Sequence, residues 1–210
     1  MTRVAIADDH ALVRRGLAEL LREMNDIEVV AEAESGDALL RAVRDVRVDV
    51  VVMDMNMPGP TGLDLVKSLQ AEFPKLPLLV LSAHPEDQYA VRVVRAGALG
   101  YLTKESAEAD LVDAVRRVAS GQRFLTRALA EALLDALDTD PDEMPHAQLS
   151  DREYQVLRLL ASGKTVGGIA EDLSLSVKTI STYRARLLQK MGMSNNAELT
   201  RYALENKLVD

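Results

Sequence analysis

Apolar positions in the first 120 residues follow two alternating patterns. Short, unbroken apolar runs at 4–7, 27–31, 48–53, 78–81 and 98–102 carry charge only at Glu28 and Asp49. Between them, apolar residues recur at intervals of three and four, as at Leu12, Val13, Leu17, Leu20, Leu21 and Met24. A continuous apolar run suits a central parallel strand covered on both faces. The intervening pattern, seen again at 38–46, 63–73, 87–96 and 107–119, predicts amphipathic helices. Gly97 and Gly121 stand where C-terminal caps belong. Five strands alternating with five helices predict an α/β domain, a doubly wound five-stranded parallel sheet with right-handed crossovers.

From residue 148 onward the pattern is helical throughout. Ser150, Asp151, Arg152 and Glu153 form a capping box that opens a helix over 154–161, which Gly163 ends. A short helix is predicted at 166–173, a tight turn at 174–176, a longer helix at 177–191 stopped by Gly192, and a fourth helix at 197–208. A short helix, a three-residue turn and a basic helix make a helix-turn-helix. The second region therefore reads as a small all-α domain.

Charge divides the chain at the same place. Residues 1–146 carry a net charge of −10 and residues 147–210 one of +2, for −8 over the whole chain. The stretch 176–192 holds four basic residues and no acid, whereas 138–144 (DTDPDEM) holds four acids and no base. The expected organisation is a first domain at 1–121, a helical and acidic linker at 122–147, and a DNA-binding domain at 148–210. The absence of Cys excludes a disulfide scaffold, a thiolate zinc site and a Cys nucleophile. No apolar run approaches the roughly 20 residues of a membrane helix. Acids at positions 8 and 9 are incompatible with a signal peptide. A cytoplasmic protein without membrane association is expected.

In an open parallel sheet, ligands bind beyond the carboxyl ends of the strands. Asp8 and Asp9 follow the first strand, Asp54 the third, Ser82 the fourth, and Thr103 and Lys104 the fifth. Singly, each reads as a turn, cap or surface residue. Together, three carboxylates need a cation to offset their repulsion. Oxygen ligands without a His or Cys pattern favour Mg²⁺ over Zn²⁺. A carboxylate, a hard cation and a Lys are what phosphoryl transfer through an aspartyl-phosphate requires. His10, at the start of the first helix, reads as structural. His84, two residues past Ser82, reads either as a tuner of phosphoryl hydrolysis or as an exposed loop residue.

The helix at 177–191 has two faces. Ile180, Tyr183, Leu187 and Met191 face a core, and Lys178, Ser181, Thr182, Ala185, Arg186 and Gln189 lie opposite. The second face mixes phosphate partners with small groups able to approach base edges. Arg184 lies between them, placed to reach backbone phosphate.

The acid pair Asp8-Asp9, the DMNMPGPTG segment at 54–62, Ser82-Ala83 and the GYLTK segment at 100–104 resemble the receiver domain of bacterial two-component response regulators. LSDREYQVLRLLASG at 149–163 and the pattern from Ile169 to Gly192 resemble the LuxR-type helix-turn-helix. Together the two resemble the NarL/FixJ family. The resemblance implies a flavodoxin-like receiver with Asp54 as phospho-acceptor. Mg²⁺ would be held by Asp9, Asp54 and the Asn56 backbone carbonyl, and by Asp8 through water. It implies Lys104 and Ser82 as phosphoryl contacts and Tyr101 as the switch residue. Lys178, Thr179, Ser181, Thr182, Arg184, Ala185 and Arg186 fall in the DNA-binding element. Receivers often carry Pro after this Lys, where Glu105 stands here. Many relatives carry polar residues, including a Lys, where this chain has Val166, Gly167 and Gly168.

These readings point to a transcription factor, not an enzyme. A sensor histidine kinase would phosphorylate Asp54, with slow self-dephosphorylation, and homodimerisation would follow. Double-stranded promoter DNA would be the target and RNA polymerase a further partner. Three alternatives fit parts of the pattern: a phosphorylation-independent regulator, an Mg²⁺-dependent phosphohydrolase, and a protein-interaction adaptor. The phosphohydrolase needs a general acid where Asn56 stands.

Overall fold

The structure is a computed structural model that describes residues 1–55, 57, 62–82, 88–135, 145–173, 175–206, 208 and 209. The chain divides into two units, Met1–Leu134 and Asp135–Asp210.

In the first unit β1 (Thr2–Ala7), β2 (Ile27–Ala33), β3 (Val50–Asp54), β4 (Leu78–Ser82) and β5 (Gly100–Thr103) form one sheet in the order β2-β1-β3-β4-β5, with every pair parallel. Helices α1 (Ala11–Arg22), α2 (Gly36–Asp45), α3 (Gly62–Glu72), α4 (Gln88–Arg95) and α5 (Ala107–Ala119) alternate with the strands. The unbroken apolar runs are explained by burial on both faces. Val4, Ile6, Val50, Val52, Leu79, Leu81 and Leu102 share one core with Leu17, Ala18 and Leu21 of α1 and Leu111, Ala114, Val115 and Val118 of α5. The alternate positions, Ala5, Ala7, Val51, Met53, Leu78, Val80 and Tyr101, are buried as well. By the period-2 geometry of strands they face the opposite side, where α2, α3 and α4 follow one another.

Boundaries depart from the sequence expectation by a few residues, for local reasons. β3 starts at Val50 because Asp49 turns to Arg3, accepting its backbone N–H at 2.9 Å. β5 starts at Gly100 because the Ala98 N–H returns to Val93 of α4 at 3.2 Å. Gly97 and Gly121 adopt φ of +115° and +78°, the left-handed turn conformations that glycine takes without strain. The first unit also runs past residue 121. The Phe124 N–H donates to the Leu99 carbonyl at 2.9 Å, and its carbonyl accepts the Tyr101 N–H at 3.2 Å. Helix α6 (Arg127–Asp135) then buries Leu129. Residues 122–134, read from sequence as the start of the linker, thus lie within the first unit. Of the acidic stretch, residues 138–144 fall outside the described residues.

Among the described residues from Pro145 onward, the second unit holds a 3-10 turn, Pro145–Gln148, and the helices α7 (Asp151–Ala161), α8 (Val166–Asp172), α9 (Val177–Met191) and α10 (Asn196–Glu205). Both halves of the capping box at Ser150 and Glu153 are present. Leu149, Tyr154, Leu157, Leu160, Ile169, Ile180, Leu187, Met191, Leu199, Ala203 and Leu208 form its buried set. Helix α8 forms despite Gly167 and Gly168, since its N-cap Thr165 accepts the Gly168 N–H at 3.1 Å. Ser174 of the predicted turn lies outside the described residues. Helix α10 ends at Glu205, short of residue 208, because the Leu208 N–H folds back onto the Ala203 carbonyl at 2.8 Å. Among the described residues no helix is long and apolar enough to cross a membrane.

Candidate functional site: an acidic rim and a basic helix

Parallel register brings the strand ends to one rim. Ala7 pairs with Met53, Asp54 with Leu81, and Ser82 with Thr103. The Lys104 N–H donates to the Ser82 carbonyl at 2.8 Å, continuing the pairing one residue beyond β5. The strand order reverses between β1 and β3, the crevice at which doubly wound sheets collect ligands. Asp8 and Asp9 flank it on one side and Asp54 on the other.

Each acid there has a distinct setting. Asp8 is fully buried. Its Oδ1 accepts the His10 backbone N–H at 2.8 Å, its Oδ2 accepts from Lys104 Nζ at 2.7 Å, and its carbonyl accepts from Arg14 at 2.6 Å. Asp54 is 1% exposed; its Oδ2 lies 3.2 Å from Lys104 Nζ, while its Oδ1 is buried with no hydrogen-bond partner. Asp9 is partly buried, and its Oδ1 also lacks a hydrogen-bond partner but stands 2.8 Å from His10 Nδ1. Ligand atoms of Asp8, Asp9, His10 and Asp54 all lie within 4.8 Å of one another.

Burial pushes the Asp54 carboxyl above the usual carboxylate range; the charges of Asp8 and Asp9 add to the rise and Lys104 opposes it. For Lys104, burial pulls downward, but its hydrogen bond to Asp8 and the charges of both acids together hold it above its ordinary value. The rim is thus a cluster of anions with a single described ammonium against two of them. Two carboxylate oxygens lack protein donors. Such a set can hold a divalent cation and present an oxygen nucleophile.

The other expected receiver residues lie as follows. Ser82 and Tyr101 are buried, Ser82 at the end of β4 and Tyr101 within β5. Asn56 and His84, like most of the loops that carry them, lie outside the described residues. Every described peptide bond, Lys104–Glu105 included, is trans. His10, read as structural from sequence, stands with the acids. Its only sequence signal is adjacency to Asp8-Asp9.

In the second unit α9 buries Ile180, Leu187 and Met191 and half-buries Tyr183. Lys178, Ser181, Thr182, Ala185, Arg186 and Gln189 are exposed on the other side. The hydroxyls of Ser181 and Thr182 bond back to the carbonyls of Val177 and Lys178 at 2.8 and 3.0 Å. Thr179 is held by the N-cap Ser176, whose Oγ accepts its N–H at 3.0 Å. Arg184 Nε donates to Asn196 Oδ1 at 2.7 Å, tying α9 to the start of α10. Asn196 was not singled out by sequence reasoning. At the far end Lys190 Nζ donates to Glu153 Oε2 at 2.6 Å. Helix α9 is thereby tied to α10 from its middle and to α7 near its C-terminal end.

The sequence profile of the response regulator receiver domain matches residues 4–116, and that of the bacterial regulatory proteins of the luxR family matches residues 147–203. The chain is 37% identical to the response regulator UvrY of Escherichia coli K12, over 99% of this chain and 96% of that one. It is 35% identical to the response regulator GacA of Pseudomonas aeruginosa, over 100% and 99%. Among solved structures it is similar to RcsB from Salmonella enterica serovar Typhimurium, bound to the promoter P1flhDC in the presence of phosphomimetic BeF3⁻. That likeness has a TM-score of 0.61 and 30% identity, over 96% of this chain and 97% of that one.

Proposed function

Since the chain belongs to the NarL/FixJ family of response regulators, transcription regulators that join a receiver to a LuxR-type DNA-binding domain, we propose that phosphorylation of Asp54 by a sensor histidine kinase switches this one. One observation carries the choice of Asp54. Its Oδ2 is engaged by Lys104, and its Oδ1 is buried without a donor. That oxygen is the nucleophile. It forms a bond to phosphorus as the bond from phosphorus to the donor, an imidazole nitrogen of the kinase, breaks.

The oxygen donors of the rim suit Mg²⁺. Asp9, Asp54 and the Asn56 carbonyl would hold it directly and Asp8 through water. When bound, it would neutralise charge on the phosphoryl oxygens and the clustered acids. Lys104 would pair with the incoming phosphoryl group, and Ser82 would donate to it from the end of β4. The aspartyl-phosphate adds about one to two negative charges at this rim. Ser82 would move toward it and Tyr101 would change rotamer, altering the face built from α4, β5 and α5. Homodimerisation through that change would set two α9 helices into successive major grooves of promoter DNA. Lys178 and Arg186 would meet phosphates, and Ser181, Thr182 and Ala185 would approach base edges. RNA polymerase would be met at the bound promoter.

The test is intact mass after acetyl phosphate and Mg²⁺, followed by DNA binding. One phosphoryl adduct in the wild type, absent in Asp54→Asn and without Mg²⁺, with tighter DNA binding by the adduct, supports the switch. An unlabelled but folded wild type that binds DNA equally well would instead make the regulator phosphorylation-independent.

A further inference from the structure

We propose that His10 supplies an imidazole nitrogen to the cation site of the acidic rim and so gives that site a preference for first-row transition-metal ions, Mn²⁺ and more strongly Co²⁺, over Mg²⁺. The inference rests on the ion site proposed above and names a further ligand and a metal class for it.

The imidazole is turned to the acids and not to its own helix. His10 is the N-cap of α1, yet its side chain makes no capping hydrogen bond. Its backbone N–H goes to Asp8 Oδ1 at 2.8 Å. Its Nδ1 lies 2.8 Å from Asp9 Oδ1 and 3.4 Å from Asp8 Oδ1. With Asp54 these groups make a four-residue set whose ligand atoms fall within 4.8 Å of one another. An independent observation marks the same space as one that takes a cation. Asp54, 1% exposed, keeps Oδ1 buried in this cluster with no donor from the protein.

A carboxylate-only site favours hard ions, and Mg²⁺ keeps its oxygen ligands and waters. A neutral imidazole adds a donor of intermediate softness without adding charge. Affinity then climbs from Mn²⁺ to Co²⁺ and beyond. The ring is 66% exposed, so it can adjust to an ion without moving the core. The same separation has another reading, an imidazolium paired with Asp9. That cation would compete with the metal, and removing it would tighten every ion.

The two readings give opposite results. Mn²⁺, Co²⁺ and Mg²⁺ affinities of the full chain are measured at one pH by EPR of free Mn²⁺ and by calorimetry, for wild type and His10→Asn. The proposal expects at least a tenfold loss for Mn²⁺ and Co²⁺ with less than a threefold change for Mg²⁺. It also expects pulsed EPR of bound Mn²⁺ to show a coordinated imidazole nitrogen in wild type and in His84→Asn, but not in His10→Asn. An equal change for all three ions, a gain for all three, or a nitrogen signal lost in His84→Asn instead would overturn it. Failure of wild type to bind any of the ions would overturn the ion site itself. Binding that depends on Asp54 but not on His10 would overturn only the present inference.

Discussion

Lys104 places its ammonium 2.7 Å from Asp8 Oδ2, closer than to the Oδ2 of Asp54. A single side chain from the end of β5 therefore offsets a carboxylate from the end of β1, and it is shared with Asp54, the proposed phospho-acceptor. Removing one partner of a buried pair leaves the other charge uncompensated, at a cost of about 3 kcal/mol. Lys104→Met is expected to lose stability of that order without metal. It should recover most of it with Mg²⁺, which it should bind about tenfold more tightly because a neighbouring positive charge is gone. Thermal unfolding with and without Mg²⁺, and a direct titration, check both halves. Unchanged stability would show that the pair is not held in solution.

Asp54 should make the receiver less stable at neutral pH than an amide there would. Its carboxyl is raised chiefly by burial. A raised group contributes stability that is present below its unfolded value, about 4, and is lost as pH rises through the higher folded value. Metal-free Asp54→Asn should therefore melt a few degrees higher than wild type near pH 7, and the gap should close toward acid. Mg²⁺ should reverse the order by stabilising the wild type alone. A variant that melts lower at pH 7 without metal contradicts this.

Glu153 works in the opposite sense. Burial raises it, but hydrogen bonds from Lys190 and the Ser150 backbone outweigh that and hold it below its usual value. Its contribution is present above the unfolded value and lost as pH falls through the folded one. Glu153→Gln should lower the stability of the helical unit by about 1–2 kcal/mol at pH 7. The difference should narrow as pH falls below the ordinary Glu range, as followed by urea unfolding at each pH.

Two glycines in the first turn of α8 cost helix stability. A Cβ at Gly167 would meet only Thr165 Oγ1, at 3.9 Å. Gly167→Ala should raise stability by about 0.5–1 kcal/mol with no loss of promoter affinity. Calorimetric melting and a binding titration decide it, and reduced affinity would place the glycine backbone against DNA.

On DNA, Lys178→Ala and Arg186→Ala should weaken binding across all sequences and lower the salt slope by about one each. Arg184→Ala should also lower unfolding stability, because its hydrogen bond to Asn196 anchors α9 to α10. Mobility-shift titrations at several salt concentrations read the first effect, and urea unfolding reads the second.

The sheet was legible because buried parallel strands read as unbroken apolar runs, and the rim followed from asking which residues come next. Asp8, Asp9, Asp54 and Lys104 converge as that argument requires. The role of Lys104 as partner of Asp8 was not legible, since it depends on a contact across 96 positions. His10 was passed over because no His or Cys spacing flagged it, and a rotamer alone turns it to the acids. The hydrogen bond from Arg184 to Asn196 was not legible either, since Asn196 belongs to the next helix. Phe124 looked like linker because the two apolar residues Phe124 and Leu125, set between Gly121 and Thr126, are too few to carry a period.

Phe124 has a further consequence. A sheet rim normally exposes a row of unsatisfied amides that can template pairing with another molecule. Along β5, Phe124 engages the Leu99 carbonyl and the Tyr101 N–H. The other rim, β2, carries an irregular register opposite Val4 and Ala5 and the exposed Glu28 and Glu32. Both borders are thus guarded against edge-to-edge aggregation, so that uncontrolled strand addition is disfavoured on either side of the sheet.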